Sequence, residues 1–153
     1  MLSARIRVES VSMEPTLYAG NFVVVSKLAY QFVEPSRGDV IVFRYPPNPE
    51  QDPYIKRVIG LPGDRVDVRD EEVLINGIRI AEPYLDSPTR QGGDWIVPPD
   101  SLFVMGDNRN NSSDSRSWGV VPKENVIGKA LVVYWPPDKW DFLNSSYAVA
   151  AEP

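Results

Sequence analysis

Histidine and cysteine are both absent from the 153 residues, and this limits the chemistry open to the side chains. There is no thiol nucleophile, no disulfide, no thiolate zinc site and no Ser-His-Asp triad, and the commonest metal ligand is missing. Any general base must be Asp, Glu, Lys or Tyr. An aspartic-peptidase arrangement would need two Asp-Thr-Gly loops, which the chain lacks. Asp107, Asp114 and their neighbours could hold a cation, but their spacing matches no EF-hand loop, and we expect neither metal nor cofactor. The remaining route is a serine or threonine hydroxyl activated by a lysine amine.

Five lysines can be weighed for that role: Lys27, Lys56, Lys123, Lys129 and Lys139. Lys123 falls in a turn and Lys139 in the C-terminal tail, so both are expected to be solvated, and Lys27 follows a strand. Strand alternation puts Tyr54, Lys56 and Val58 on one face and Ile55, Arg57 and Ile59 on the other. If the first face is dry, the Lys56 ammonium is disfavoured and a neutral amine becomes available near pH 7. If it is wet, Lys56 is an ordinary surface lysine beside Arg57. Lys129 competes, because Lys129, Leu131, Val133 and Trp135 also share a face.

Candidate hydroxyls lie in Ser10-Val11-Ser12-Met13-Glu14-Pro15-Thr16-Leu17. Ser10 and Ser12 point to one side of an extended run just before a turn, where backbone N–H groups can hold an oxyanion. The same letters also read as an ordinary helix start with Ser12 as its cap. Residues 106–119 are dense in Asp, Asn, Arg and Ser. They form either a solvated loop or a buried, self-satisfied polar network.

The elements that must position these groups are short and β-type. Runs at 22–25, 40–43, 54–59, 101–105 and 130–135 are rich in Val, Ile and Phe and bounded by turn residues. Val73-Leu74-Ile75 and Ile78-Arg79-Ile80 flank Asn76-Gly77, the strongest short hairpin signal. A short helix is expected around Pro15–Tyr18 and a turn of helix at Pro122–Asn125, and residues 84–99 read as a long polar excursion. With 15 prolines and 10 glycines there is little room for long helices. We expect a mainly β fold of coiled or barrel-like antiparallel sheets with very little helix. Residues 1–65 and 100–135 form its catalytic core, 66–99 a small inserted β-hairpin extension, and 136–153 a tail.

Sixteen basic against 21 acidic residues give a net charge of -5, which argues against a nucleic-acid partner. No apolar run approaches the roughly 18–20 residues of a membrane span, and no signal-peptide core follows the first residues, so the chain is expected to be soluble. Trp135, Trp140 and Phe142 could touch a bilayer interface, or Trp135 could be core with the others covering it. Ala148-Val149-Ala150 fits a small-x-small cleavage pattern, so the tail could occupy a cleft in its own chain or in a neighbour.

Four boxes occur in order: Ser10-x-Ser12-Met13-x-Pro15-Thr16-Leu17, Arg37-Gly38-Asp39-Val40, Tyr54-x-Lys56-Arg57-Val58-x-Gly60-x-Pro62-Gly63-Asp64, and Gly106-Asp107-Asn108-Arg109-x3-Ser113-Asp114-Ser115-Arg116-x2-Gly119. Together they resemble the boxes of bacterial type I signal peptidases, over residues 8–135. The resemblance implies a signal-peptidase or self-cleaving-repressor type of fold and a serine endopeptidase with a Ser-Lys dyad. It would cut signal peptides from exported preproteins after Ala-x-Ala, at the extracytoplasmic face of the cytoplasmic membrane. It casts Ser12 as nucleophile, Lys56 as general base, Ser10 as oxyanion donor with the Ser12 N–H, and Ser112 as the hydroxyl that orients the lysine. Arg57, Asp107, Asp114 and Arg116 become a bracing ion-pair group. Ile6, Val8, Tyr54 and Ile55 line the substrate cleft.

Two positions depart from the family pattern. Glu9 and Val11 stand where many relatives carry Pro and Gly, which leaves subsite details open. The family also has one or two N-terminal spans, so this chain is expected to be either a form without its anchor or an unusual soluble member. Two other readings stay open: a self-cleaving Ser-Lys peptidase, and a non-catalytic β module that binds extended peptides.

Overall fold

Turn residues cut the described part of the chain into thirteen short strands, one α-helical turn and two short 3-10 segments. The computed structural model describes residues 3–139, 141–143 and 148–149. In chain order the elements are β1 (Ser3–Arg7), β2 (Phe22–Ser26), β3 (Val40–Phe43), β4 (Tyr54–Gly60), β5 (Arg65–Arg69), β6 (Glu72–Ile75), β7 (Ile78–Ala81) and β8 (Gly93–Ile96). There follow β9 (Ser101–Met105), α1 (Ser115–Trp118), β10 (Val121–Pro122), β11 (Val126–Trp135), β12 (Asp141–Phe142) and β13 (Ala148–Val149).

An eight-stranded antiparallel sheet runs in the order β1-β2-β11-β3-β4-β9-β10, with β12 added on β11. Register shifts within the pairs of β11 with β2 and β3, and of β4 with β9, bend and curl it. The second sheet runs β13-β7-β6-β5-β8. Its β6–β7 hairpin turns at Asn76-Gly77, both with positive φ (53° and 84°), as a type I′ turn requires.

Three apolar clusters join these layers. Val8, Met13, Leu17, Val23, Val25, Val40, Val42 and Ile55 fill the concave side of the large sheet. Ile41, Phe43, Val58, Leu102 and Val104 pack on its other face. Ile59, Phe103 and Met105 meet Val66, Val73, Ile75 and Val97 of the small sheet and its flank. Full burial of each such side chain contributes about 1.5–3 kcal/mol. Strands β3 and β4 are therefore covered on both faces, and every residue of β4 after Tyr54 is buried. That dryness on both sides decides what happens to Lys56.

Several expectations are revised. Residues 66–99 supply most of a five-stranded sheet rather than one hairpin, and the polar excursion contains β8, which β5 pairs through Asp67↔Asp94 and Val66↔Trp95. Around Pro15–Tyr18 there is a single turn closed by the Leu17 N–H donating to the Met13 carbonyl (2.9 Å), not a helix. The turn near residue 122 is a short 3-10 segment, Lys123–Asn125. An unanticipated helical turn, α1, is capped by the Asp114 side chain, which accepts from the Arg116 N–H.

Part of the tail joins the sheets: β12 pairs with β11, and Ala148 and Val149 pair with Ala81 and Ile80 of β7. Trp135 and Phe142 are exposed, so Trp135 is not core. Trp140 and Ala150 lie outside the described residues. Among the described residues no helix is long and apolar enough to cross a membrane.

Candidate active site

Lys56 sits in the middle of β4, paired to Ile41 of β3 and flanked by buried Ile55 and Arg57. Only 4% of it is exposed. Its Nζ lies 2.5 Å from Ser12 Oγ, and Ser12 is itself buried. The Tyr54 ring, 5.4 Å from the amine, is held in place by stacking on Tyr45 at 4.5 Å. Burial lowers the lysine pKa to about 8, a shift that Arg116 assists and that Asp114 and Asp107 oppose. The alternation argument had left a wet and a dry face open; the structure has the dry one.

Ser12 is presented by the turn that follows β1. Its hydroxyl is 3.1 Å from that of Ser10, and its backbone N–H points at Ser10 Oγ (3.4 Å). The Asn108 N–H donates to the Ser12 carbonyl (2.8 Å), Asn108 Nδ2 donates to the Val11 carbonyl (3.0 Å), and the Thr16 hydroxyl donates to Asp107 (2.5 Å). Three contacts thus strap the serine turn to the loop after β9. Gly106 makes the approach possible, since a Cβ there would collide with both the Ser12 carbonyl and Ser112 Oγ.

The loop at 106–119 is the buried network rather than the solvated loop. Arg57 donates two parallel hydrogen bonds to Asp107 (2.8 and 2.7 Å) and a third to the Gly38 carbonyl (2.8 Å). Arg116 grips Asp114 in the same two-point way and also donates to the Arg109 carbonyl (2.7 Å). Burial alone would raise the Asp114 carboxyl, but Arg116 and the Gly106 N–H hold it below its usual range.

Ser112 is brought beside this group. Its oxygen is enclosed next to Gly106 and makes no hydrogen bond among the described residues, although it lies close enough to Asp114 to favour that carboxylate. The four expected bracing residues are therefore together, whereas Ser112 has no bond to the Lys56 amine.

A cleft of about 350 Å³ opens over the pair. Val8, Tyr54 and Ile55 line it, with Ser10, Ser12 and Lys56 at its floor. Ile6 is absent from its lining and packs partly buried against the concave core. The rival lysines are occupied or exposed. Lys129 faces Asp39 (3.4 Å), Lys123 pairs with Glu34 (2.6 Å), and Lys27 is at the surface.

Sequence reasoning missed Glu82, Thr16 and Tyr84. Buried Arg109 donates to Glu82 (2.9 and 2.5 Å), and burial, which disfavours the guanidinium charge, is outweighed by that carboxylate. Twenty-seven residues separate the two, so no local spacing could signal the pair.

A buried hydroxyl in contact with a dry amine, under an open cleft on a curled antiparallel sheet, suits a serine hydrolase of the Ser-Lys kind. Residues 1–135 match the family model described as signal peptidase, peptidase S26, and the chain belongs to that family. It is 48% identical over 139 residues to a signal peptidase I of Leptolyngbya laminosa, covering 86% of this chain and 68% of that protein. It is 42% identical over 138 residues to a probable signal peptidase I-2 of Synechocystis, covering 84% and 62%. Thylakoidal processing peptidase 1 of Arabidopsis thaliana is 39% identical over 142 residues, covering 86% and 42%. Among solved structures, a signal peptidase I from Enterococcus faecalis aligns with a TM-score of 0.57 at 35% identity, over 63% of this chain and 96% of that one. The expected mainly β, curled antiparallel fold agrees with it.

Proposed function

We propose that the chain removes signal peptides from exported preproteins, with Ser12 as nucleophile and Lys56 as general base. The observation that carries this reading is the 2.5 Å contact between two groups that are both buried at the base of the cleft. Ser12 Oγ attacks the scissile carbonyl carbon while its proton passes to neutral Lys56 Nζ. The tetrahedral oxyanion is held by the Ser12 N–H and the Ser10 hydroxyl. Nζ then gives the proton to the leaving amine as the C–N bond breaks, which leaves an acyl ester on Ser12. Water attacks the ester, the same amine takes its proton, and the serine hydroxyl is restored. Ser112, which does not bond the amine in the free protein, turns to it in the substrate complex and orients it during these transfers, and Arg57, Asp107, Asp114 and Arg116 brace the site.

The substrate lies extended between the free edge of β1 and residues 53–56, completing the sheet there. Val8, Tyr54 and Ile55 leave shallow room on that path, which suits small side chains such as those of Ala-x-Ala. On this reading the domain works at the extracytoplasmic face of the cytoplasmic membrane, where exported preproteins emerge.

Hydrolysis of an Ala-x-Ala peptide tests the dyad. Ser12→Ala and Lys56→Ala are each expected to cost at least about 10⁴-fold in kcat while keeping the native melt, and Ser112→Ala less. The wild-type rate should climb with pH through about 8, as the amine loses its proton. Activity retained by either of the first two variants would rule out the dyad, and a wild type that binds the peptide without cutting it would favour a peptide-binding module.

A further inference from the structure

Tyr84 stands outside the cleft, in the connection that leaves β7, yet it touches the machinery behind the dyad. The Arg57 guanidinium carbon lies 3.7 Å above the centre of its ring. That guanidinium is fixed within its own plane by Asp107 and the Gly38 carbonyl, so the ring limits motion out of the plane, the one direction those bonds leave soft. Tyr84 is itself anchored. Its hydroxyl donates to Glu82 (2.7 Å), Glu82 accepts from Arg109, and Arg109 also donates to the Gly106 carbonyl (2.9 Å) and Thr89 (3.1 Å). Burial and the Glu82 charge push the phenol pKa upward, so it stays a neutral donor.

Two arms meet at this point. Arg57 adjoins Lys56 on β4, and the 106–108 loop, gripped by Arg57 through Asp107 and by Arg109 through Gly106, holds the Ser12 carbonyl through Asn108. Nothing in a chemical role for residues 82–84 is needed for catalysis, but their contacts reach the carriers of both reacting groups. We propose that Tyr84 is a positioning residue for the dyad, its ring holding Arg57 and thereby the backbone that presents Lys56 to Ser12. The inference rests on the peptidase reading above.

The test compares Tyr84→Leu, which removes the ring, with Tyr84→Phe, which keeps it. The groups facing Lys56 are Ser12, the Tyr54 ring, Asp107, Asp114 and Arg116. Loosening Arg57 leaves Asp107 less neutralised and lets water reach the amine. Both favour the ammonium form and move its titration to higher pH.

For Tyr84→Leu we expect kcat about tenfold lower, KM unchanged, and the acid limb of kcat/KM displaced upward by about half a pH unit or more. Carbon-13 NMR titration of the Lys56 Cε, assigned with Lys56→Met, should show the same displacement without using activity. Tyr84→Phe should stay within about twofold in kcat with an unmoved limb. If Tyr84→Leu loses its cooperative melt, Tyr84→Met takes its place with the same readouts. A leucine or methionine variant with wild-type titration, whatever its kcat, would overturn the proposal. Failure of the wild type to cut the peptide would count against the peptidase reading alone, because the NMR titration still decides the role of Tyr84.

Discussion

Two arginine–aspartate pairs in this molecule have nearly the same geometry and opposite surroundings. Arg57–Asp107 and Arg65–Asp94 each close at 2.7 Å with a second parallel hydrogen bond beside it. The first pair is 1% and 0% exposed and stands behind the dyad; the second, on the small sheet, is 55% and 52% exposed. Contact length therefore does not measure what an ion pair does. At the surface, water replaces either partner almost without cost. Behind Lys56, no water is available to replace one, so each charge depends on its partner and the loop is held in a single arrangement. The pair behind Lys56 carries its charge dry, and the pair on the small sheet carries its charge wet.

The sharpest way to break this contrast is to remove one member of the dry pair. Asp107→Ala should cost about 3–5 kcal/mol of unfolding free energy, because Arg57 is left buried and uncompensated. Denaturant melts check it, and a loss below about 1 kcal/mol would erase the distinction.

The next effect has the opposite sign. Lys56 titrates near 8 when folded and near 10.5 when free, so the unfolded chain binds the proton more readily. Its penalty on the fold is complete below pH 8 and fades as pH rises from 8 to 10.5. Lys56→Met should therefore stabilise the protein by about 1–3 kcal/mol at pH 7, with the gain shrinking toward pH 10.5. A destabilised variant at pH 7 would contradict a dry amine. Smallest of all, Arg65→Ala and Asp94→Ala should leave the melting temperature within error, and 1 M NaCl should not move the wild type measurably. A clear drop in either variant would make the wet pair structural.

The contrast also separates what the letters disclosed from what they could not. Asn76-Gly77 signalled its hairpin because positive φ at two successive residues is a local demand. Strands such as 40–43 and 101–105 were legible because both faces are apolar. Arg65-Val66-Asp67-Val68-Arg69 alternates like a strand but followed a turn cluster, and Gly93-Asp94-Trp95-Ile96 is strand only because β5 pairs with it. The dyad was legible as two motifs, and the resemblance linked them. What could not be read was that β4 is covered on both sides, since alternation assigns faces but not what lies above them. Nor could Glu82, Tyr84 and Thr89 be connected to residues 57 and 109, because only the packing of one sheet on the other brings them together.

The large sheet ends at β1, whose outer rim has no strand beside it among the described residues. Such a rim would ordinarily invite a second copy of the same chain. Along β1, Ser3, Arg5 and Arg7 face solvent while Ala4 and Ile6 turn inward. Two copies meeting rim to rim would bring arginine against arginine, so self-association is discouraged at the border where the proposed substrate lies. A substrate strand seated there, as proposed above, meets that repulsion only if it carries cations of its own.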